Sequence, residues 1–361
     1  MTTLNTKVIH DIVEIIKYYR YGEIDLIDYR HVEKWILQFP STLQNKILEE
    51  TLFSLKKRYV SKEDIMNIFY EALDSKEIFG ISIIDTLQNS HFIDEQLYGS
   101  SQTELLKLFS QVVTKKFNFK LENKLIHEAK HIFYIDECIF SGNRIIQDLT
   151  DFVNYYGIRD IEITVLVIGA HSNGYDYIDK CLKYKLRQRG IKFRVYSEFF
   201  FNNYETSFSG VFFPKNNSLD ENVINYCTKL INEKQLKNNL HDIFRCFEDK
   251  ENDLFSSREN RDILENQFLE IGVSLIGDYN KDEFVKPLGF SKFLNLGFGG
   301  YFITYRNIPN NCPIALWFDR GEIYTHSNTS KEWYPLFPRK VSKKNILNRP
   351  LLKKVLSNDE L

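Results

Sequence analysis

IFYIDECIFSGNR, residues 132–144, is the stretch whose reading decides the fold. Its apolar run Ile132–Ile135 has the composition of a buried strand and delivers two adjacent acids, Asp136 and Glu137, at its carboxyl end. In an open α/β sheet, ligands bind outside that end of the strands. Four residues after Glu137, Ser141-Gly142-Asn143 leads straight into a helical pattern. A short loop with glycine and a hydroxyl at a helix N-terminus aims several backbone N–H groups, helped by the helix dipole, at one anion. Acids beside such a cradle repel a bare phosphate. They suit a sugar phosphate, because carboxylates accept hydrogen bonds from ribose hydroxyls while the loop holds the 5-phosphate.

Working outward, strand-like runs alternate with helical ones. HIFYID (131–136), IEITVLVI (161–168) and IKFRVYSE (191–198) are separated by helical segments 143–156 and 175–189. A helix is expected over 102–117, and FGISII (79–84) is a further strand candidate. Apolar strands alternating with helices of this length predict an α/β fold with a parallel sheet. The first 75 residues read as helices: Val8, Ile9, Ile12, Val13, Ile15 and Ile16 recur at helical spacing, and Ser41 with Gln44 stand at capping-box spacing. Residues 220–272 read as mainly helical, and 286–317 as glycine-punctuated strands (GFGGYFITYR, PIALWF). The expected organisation is a helical region 1–75, an α/β core 76–205 and a mixed α+β region 206–361. No Pro/Gly/Ser-rich linker divides them.

Composition narrows the function classes. With 43% hydrophobic residues in 361, the chain has enough apolar material for a large core. A net charge of −2 makes general nucleic-acid adsorption a poor expectation, so any basic surface is local. Two stretches qualify, KYKLRQRGIKFR (183–194) and RKVSKKNILNRPLLKK (339–354). Five scattered cysteines with no CxxC pair argue against a disulfide framework or a zinc site. No apolar run approaches the roughly 18 residues of a membrane span, and no signal-peptide core opens the chain. A soluble cytoplasmic protein is expected.

The order apolar strand, two acids, three residues, Ser-Gly, helix resembles the PRPP-binding motif of type I phosphoribosyltransferases. The resemblance implies a type I phosphoribosyltransferase-like parallel sheet flanked by helices, with a C-terminal mixed region covering it. Asp136 and Glu137 match the paired catalytic acids, and Ser141, Gly142 and Asn143 match the ribose-phosphate loop. Arg144 stands where the family has Thr or Ser, which trades a hydroxyl contact for a cation. Gly99, Ser100 and Ser101, ahead of TELLKLFSQVV, match the family's pyrophosphate loop in place; an ordinary serine N-cap explains them equally well. Beyond the core, HVEKWILQFP (31–40), GSSQT (99–103) and the block 287–318 resemble phosphoribosyltransferase-like effectors encoded with bacterial anti-phage systems, some retrons among them.

That resemblance implies an enzyme acting at the anomeric carbon of PRPP or a nucleotide. Mg²⁺ would bridge pyrophosphate and ribose hydroxyls rather than sit in a protein metal site. It further implies disturbance of nucleotide pools during infection, and as partners a retron reverse transcriptase with its RNA/DNA or a second copy of the chain. Two rivals stand beside it: a non-catalytic nucleotide sensor, and a nucleic-acid-associated module using the basic stretches. His171, just past ITVLVIGA, is a minor candidate for a base or pyrophosphate contact. Arg306, Asn310 and Asn311 offer recognition groups beside Gly297, Gly299 and Gly300; turn chemistry before Pro313 is the plainer account. The HExxH string from His127 to His131 runs directly into a strand, so it is not read as a zinc site. Trp317, Trp333, Tyr301 and Phe302 are read as core before they are read as base-stacking groups.

Overall fold

The computed structural model describes residues 3–94, 101–204, 207–235, 243–246, 254–319 and 332–339. The chain divides into two compact units, one from 1–62 with 201–340 and one from 63–200. The boundaries therefore fall near 62 and 200, and the N-terminal helices share a unit with the C-terminal region.

The first unit opens with α1 (Thr6–Ile16), α2 (Tyr29–Ile36) and α3 (Gln44–Arg58). Asn5 caps α1 by accepting from the Val8 amide, and the fully buried Ile9, Ile12 and Ile16 repeat at helical spacing. Asp28 caps α2 through the His31 amide. The expected capping box does not form. Leu43 bonds back to Pro40 in a turn that absorbs Ser41, so Gln44 is the first helical residue and its amide donates to the Phe39 carbonyl. From that position it cannot reach back as an N3 cap.

β1 (Tyr59–Val60) ends this segment, and the second unit begins with α4 (Lys62–Ala72), α5 (Lys76–Phe79) and α6 (Ile83–Gln88). FGISII is thus no strand. Gly80 takes a left-handed φ of 71° and ends α5, Ile81 is 93% exposed, and the Thr86 hydroxyl donates to the Phe79 carbonyl. The edge strand is instead β2 (Ser90–Phe92), followed by α7 (Ser101–Phe117), β3 (His131–Ile139), α8 (Asn143–Tyr155), β4 (Glu162–His171), α9 (Ser172–Arg187) and β5 (Lys192–Tyr204). The sheet order is β2-β3-β4-β5, with β2, β3 and β4 parallel. This is the expected α/β sheet flanked by helices. HExxH lies on a single 3₁₀ turn, Ile126–Glu128, and the first residue of β3, so its histidines share no helix face.

Both faces of the sheet are buried. On one, Ile132 and Tyr134 of β3 pack with Ile145 and Leu149 of α8 and Ile178 and Leu182 of α9. On the other, Phe133 stacks on Phe92 and Phe79, with ring centroids 5.3 and 5.1 Å apart, and Phe109 completes the group.

Returning to the first unit, β6 (Ser207–Ser209) pairs antiparallel with the end of β5. Then come α10 (Glu221–Glu233), α11 (Arg258–Ile276), β7 (Val285–Lys286), β8 (Gly289–Phe290), β9 (Ile303–Thr304) and α12 (Ile314–Trp317). The expected long strands shrink to two-residue pairs, and PIALWF becomes one buried helical turn. Pro313 starts that turn, Phe318 bonds back to Ile314, and the Trp317 indole donates to the Cys312 carbonyl. Three buried ring donors here find carbonyls: Trp35 and Trp333 both donate to Ala315, and Tyr19 donates to Pro338. A second anchor is charged. Buried Glu265 accepts from Arg245 at 3.1 Å, from Arg261 at 2.9 Å and from the Phe213 amide at 2.9 Å, while Arg245 also meets Asp262.

His31 ties residues 334–336 to α2, facing the Leu336 carbonyl through Nε2 and the Tyr334 hydroxyl through Nδ1, both at 2.9 Å. A carbonyl only accepts, so the neutral ring carries its proton on Nε2. Burial holds the His31 pKa below its usual 6.5. The fold therefore favours the neutral ring, and stability fully present above pH 6.5 is lost progressively as pH falls from there through the lowered folded value. Acidification from pH 7.5 to 5 is expected to lower the denaturant midpoint followed by tryptophan fluorescence. His31→Gln should show a visibly smaller drop.

Candidate functional site

The expected strand end is longer than the sequence suggests. β3 continues through both acids to Ile139, pairing with β4 on either side of Glu137: Asp136 lies opposite Val167 and Cys138 opposite Gly169. Alternation along the strand sends Asp136 to the α8 side with Ile132 and Tyr134, and it slips before Ile139, which packs on that same side against α9. Asp136 is 4% exposed and one of its carboxylate oxygens accepts the Glu137 amide at 2.8 Å. Glu137 is only half-buried. Tyr134, between Asp136 and α8, donates its hydroxyl to Asp148 at 2.9 Å; burial first, then the charges of Asp136 and Asp148, push its pKa well up.

After Ile139 the chain turns through Phe140, Ser141 and Gly142 into α8. Gly142 is the N-cap residue, with φ 77°, a left-handed conformation in which glycine carries no Cβ penalty. An added Cβ would meet Ile178 Cγ1 at 2.6 Å and the Gly174 carbonyl at 2.8 Å. Gly142 has no side chain with which to cap α8, and the N-terminus of the helix faces the loop. Ser141 is half-buried, while Asn143 and Arg144 are exposed. Arg144 Nε lies 3.8 Å from Asp148 one turn along the same helix, so the cation replacing the family hydroxyl is partly engaged by its own helix.

His171 ends β4 and is the N-cap residue of α9, buried at the same sheet edge. Since Ala170 pairs with Ile139, His171 stands beside the entry to the 140–142 loop. Ser101 is the first residue of α7 and is buried. Gly99 and Ser100 lie outside the described residues. Arg306, Asn310 and Asn311 belong to the other unit. There the Asn310 carbonyl accepts from Phe290, while Asn311 donates to the Phe290 carbonyl and accepts from the Gly300 amide. Those asparagines brace a glycine-rich turn.

Sequence reasoning missed Gly174. An added Cβ there would sit inside contact distance of the Phe140 carbonyl, so α9 reaches the loop only because position 174 lacks one. The available signal was a glycine in a first helical turn (HSNGYDY), where glycine is a poor helix former.

Among the described residues no group of three or more His, Cys, Asp or Glu is placed to hold a metal ion. Two carboxylates beside an amide cradle nonetheless fit a hard cation held mainly by ligand oxygens. Nor is any helix of the described residues long and apolar enough to cross a membrane.

Among curated proteins, none matches this chain. The AQ2163 protein from Aquifex aeolicus is similar at 13% identity over 48% of this chain and 83% of that one, with a TM-score of 0.25, too low to carry an argument. The PRTase-CE family model matches residues 32–339, which takes in the end of α2, the whole parallel sheet and the ion network around Glu265. On that span the chain belongs to the PRTase-CE family, and is phosphoribosyltransferase-like in kind.

Proposed function

We propose that this protein binds PRPP or a nucleotide through the β3–α8 loop and acts at the anomeric carbon of the ribose. One observation carries the reading: a left-handed glycine, with no side chain of its own to cap the helix, joins an acid-bearing strand to a helix N-terminus. In this reading the loop amides and Ser141 hold the 5-phosphate. Glu137 faces the ribose hydroxyls, and Asp136 fixes the Glu137 backbone through its amide. Breaking a bond at the anomeric carbon leaves positive charge on the ribose. Fixed carboxylates nearby stabilise that charge without reorganising. Mg²⁺ arriving with PRPP, held by ligand oxygens and Glu137, would take up charge on the leaving pyrophosphate. The resemblance to anti-phage effectors supports a role in altering nucleotide pools during infection, with a retron reverse transcriptase and its RNA/DNA as partners.

Purified chain is to be mixed with PRPP, Mg²⁺ and a set of nucleobases and nucleotides, and the products read by mass spectrometry. Ribose-phosphate transfer or nucleotide loss is the expected result. Asp136→Asn with Glu137→Gln is expected to cut turnover about a hundredfold, the scale of one lost electrostatic stabiliser. Unchanged turnover in that double variant overturns the site. PRPP bound tightly and never consumed replaces the enzyme by a nucleotide sensor. Survival of infected cells carrying the chain, lost in the double variant, tests the defensive role.

A further inference from the structure

The stretch 183–194 carries six basic residues and no acid in a chain whose net charge is −2. Its fold places it at one end of the sheet. The last turn of α9, the α9–β5 connection and the α8–β4 connection all lie at the amino-terminal edge of the strands, opposite the ribose-phosphate loop. Arg189 stitches that edge together. Its guanidinium donates to the Val153 carbonyl and to Asn154 Oδ1 (2.7 Å), and its own carbonyl accepts from Asp160. Lys192 bonds to Ile161 in the neighbouring connection.

Four cations of this edge, Arg159, Lys185, Arg187 and Lys192, are exposed, and among the described residues none of them pairs with an acid. The acids close by are accounted for: Glu162 holds Arg194 at 3.1 Å, Asp179 holds Lys183, and Asp160 packs under Gly190. The last turns of α8 and α9 at this same edge also carry exposed rings, Tyr155 at 40% and Tyr184 at 70%. A helix C-terminus favours a cation or two in its last turn, which accounts for Lys185 and Arg187. It does not account for Arg159 and Lys192, which are off the helix, or for tyrosines left facing water.

We infer that this edge binds single-stranded nucleic acid, with phosphates on Arg159, Lys185, Arg187 and Lys192 and bases stacked on Tyr184 and Tyr155. Spaced cations interleaved with exposed rings match the backbone charge and π-faces of an unpaired strand. A duplex hides those faces and would use the cations alone. The surface is separate from the loop read as the ribose-phosphate site, so its test stands whether or not PRPP binds.

The test is fluorescence anisotropy of the full chain with labelled 20-mers of uridine and of deoxythymidine. Four phosphate contacts predict affinity falling about fiftyfold between 50 and 200 mM salt. Lys185→Glu with Arg187→Glu is expected to weaken binding more than tenfold, and Tyr184→Ala about tenfold, with PRPP affinity unchanged in each. Preference for one of the two 20-mers identifies the strand as RNA or DNA and supports the inference either way. Absence of binding at 50 mM salt overturns it, as does wild-type affinity in the charge-reversal variant. Equal competition by poly-glutamate overturns it in favour of an acidic protein partner, and equal competition by a duplex overturns the stacking role.

Discussion

Gly174→Ala is expected to cost more than about 3 kcal/mol of stability in the 63–200 unit, beyond the usual range for overpacking. Propensity alone gives the opposite sign, since alanine in a helix is better than glycine by about 1 kcal/mol. Contact decides the matter. The new Cβ would lie against the Phe140 carbonyl and 3.1 Å from Ile139 Cγ2, and the first obstacle is backbone that cannot rotate away. Either α9 or the 140–142 loop must shift, and the loop is the candidate phosphate cradle, so ligand affinity should fall with stability. Gly157→Ala is the control. Its φ is 63° and an added Cβ meets nothing within 4 Å, so only left-handed strain remains, about 1–2 kcal/mol. Chemical denaturation followed by far-UV circular dichroism separates the two. A Gly174→Ala chain as stable as wild type would mean that α9 does not approach the loop as described.

Glu265→Ala is expected to destabilise the other unit by about 3–5 kcal/mol, the cost of leaving buried charge uncompensated. Arg245 and Arg261 both lose their carboxylate, and the Phe213 amide loses its acceptor. Asp262 retains part of Arg245 but lies at the rim. Glu265→Gln keeps the volume and one acceptor oxygen, so its cost should be smaller than that of alanine. The chain offers a clean reporter: all three tryptophans, Trp35, Trp317 and Trp333, belong to this unit. The tryptophan transition should move to lower denaturant in Glu265→Ala and stay in place in Gly174→Ala. A Glu265→Ala midpoint at the wild-type value would show that the ion network adds nothing net.

Much of the sheet was legible because its strands are apolar on both faces and its helices are regular, so HIFYID, IEITVLVI and IKFRVYSE keep their places. The strands ran past their expected ends because Asp136 and Glu137 look like a strand terminus in composition, while ladder pairing to β4 carries the backbone on to Ile139. FGISII and PIALWF failed for one reason. Short runs of β-branched and aromatic residues fit a buried helical turn as well as a strand, and capping bonds such as Thr86 to Phe79 settle the choice. At the site, the acids, Gly142 and the helix start were readable from their order. The role of Gly174 was not, because it depends on the approach of a helix thirty residues further along the chain. The pairing of Arg144 with Asp148 is visible as i,i+4 spacing and went unread.

The split of the first unit between residues 1–62 and 201–340 sets an order on biosynthesis. α1 to α3 leave the ribosome early, yet the Trp35 indole donates to the Ala315 carbonyl, 280 residues later. At roughly 5–20 residues per second, the intervening 63–200 segment alone delays that meeting by about 7–30 seconds. The parallel strands β2, β3 and β4 come from one continuous stretch and have no such wait. Nascent chains therefore carry an assembled sheet while the apolar faces around Ile12, Trp35 and Leu48 still lack their partners, a window in which holding chaperones have a defined target.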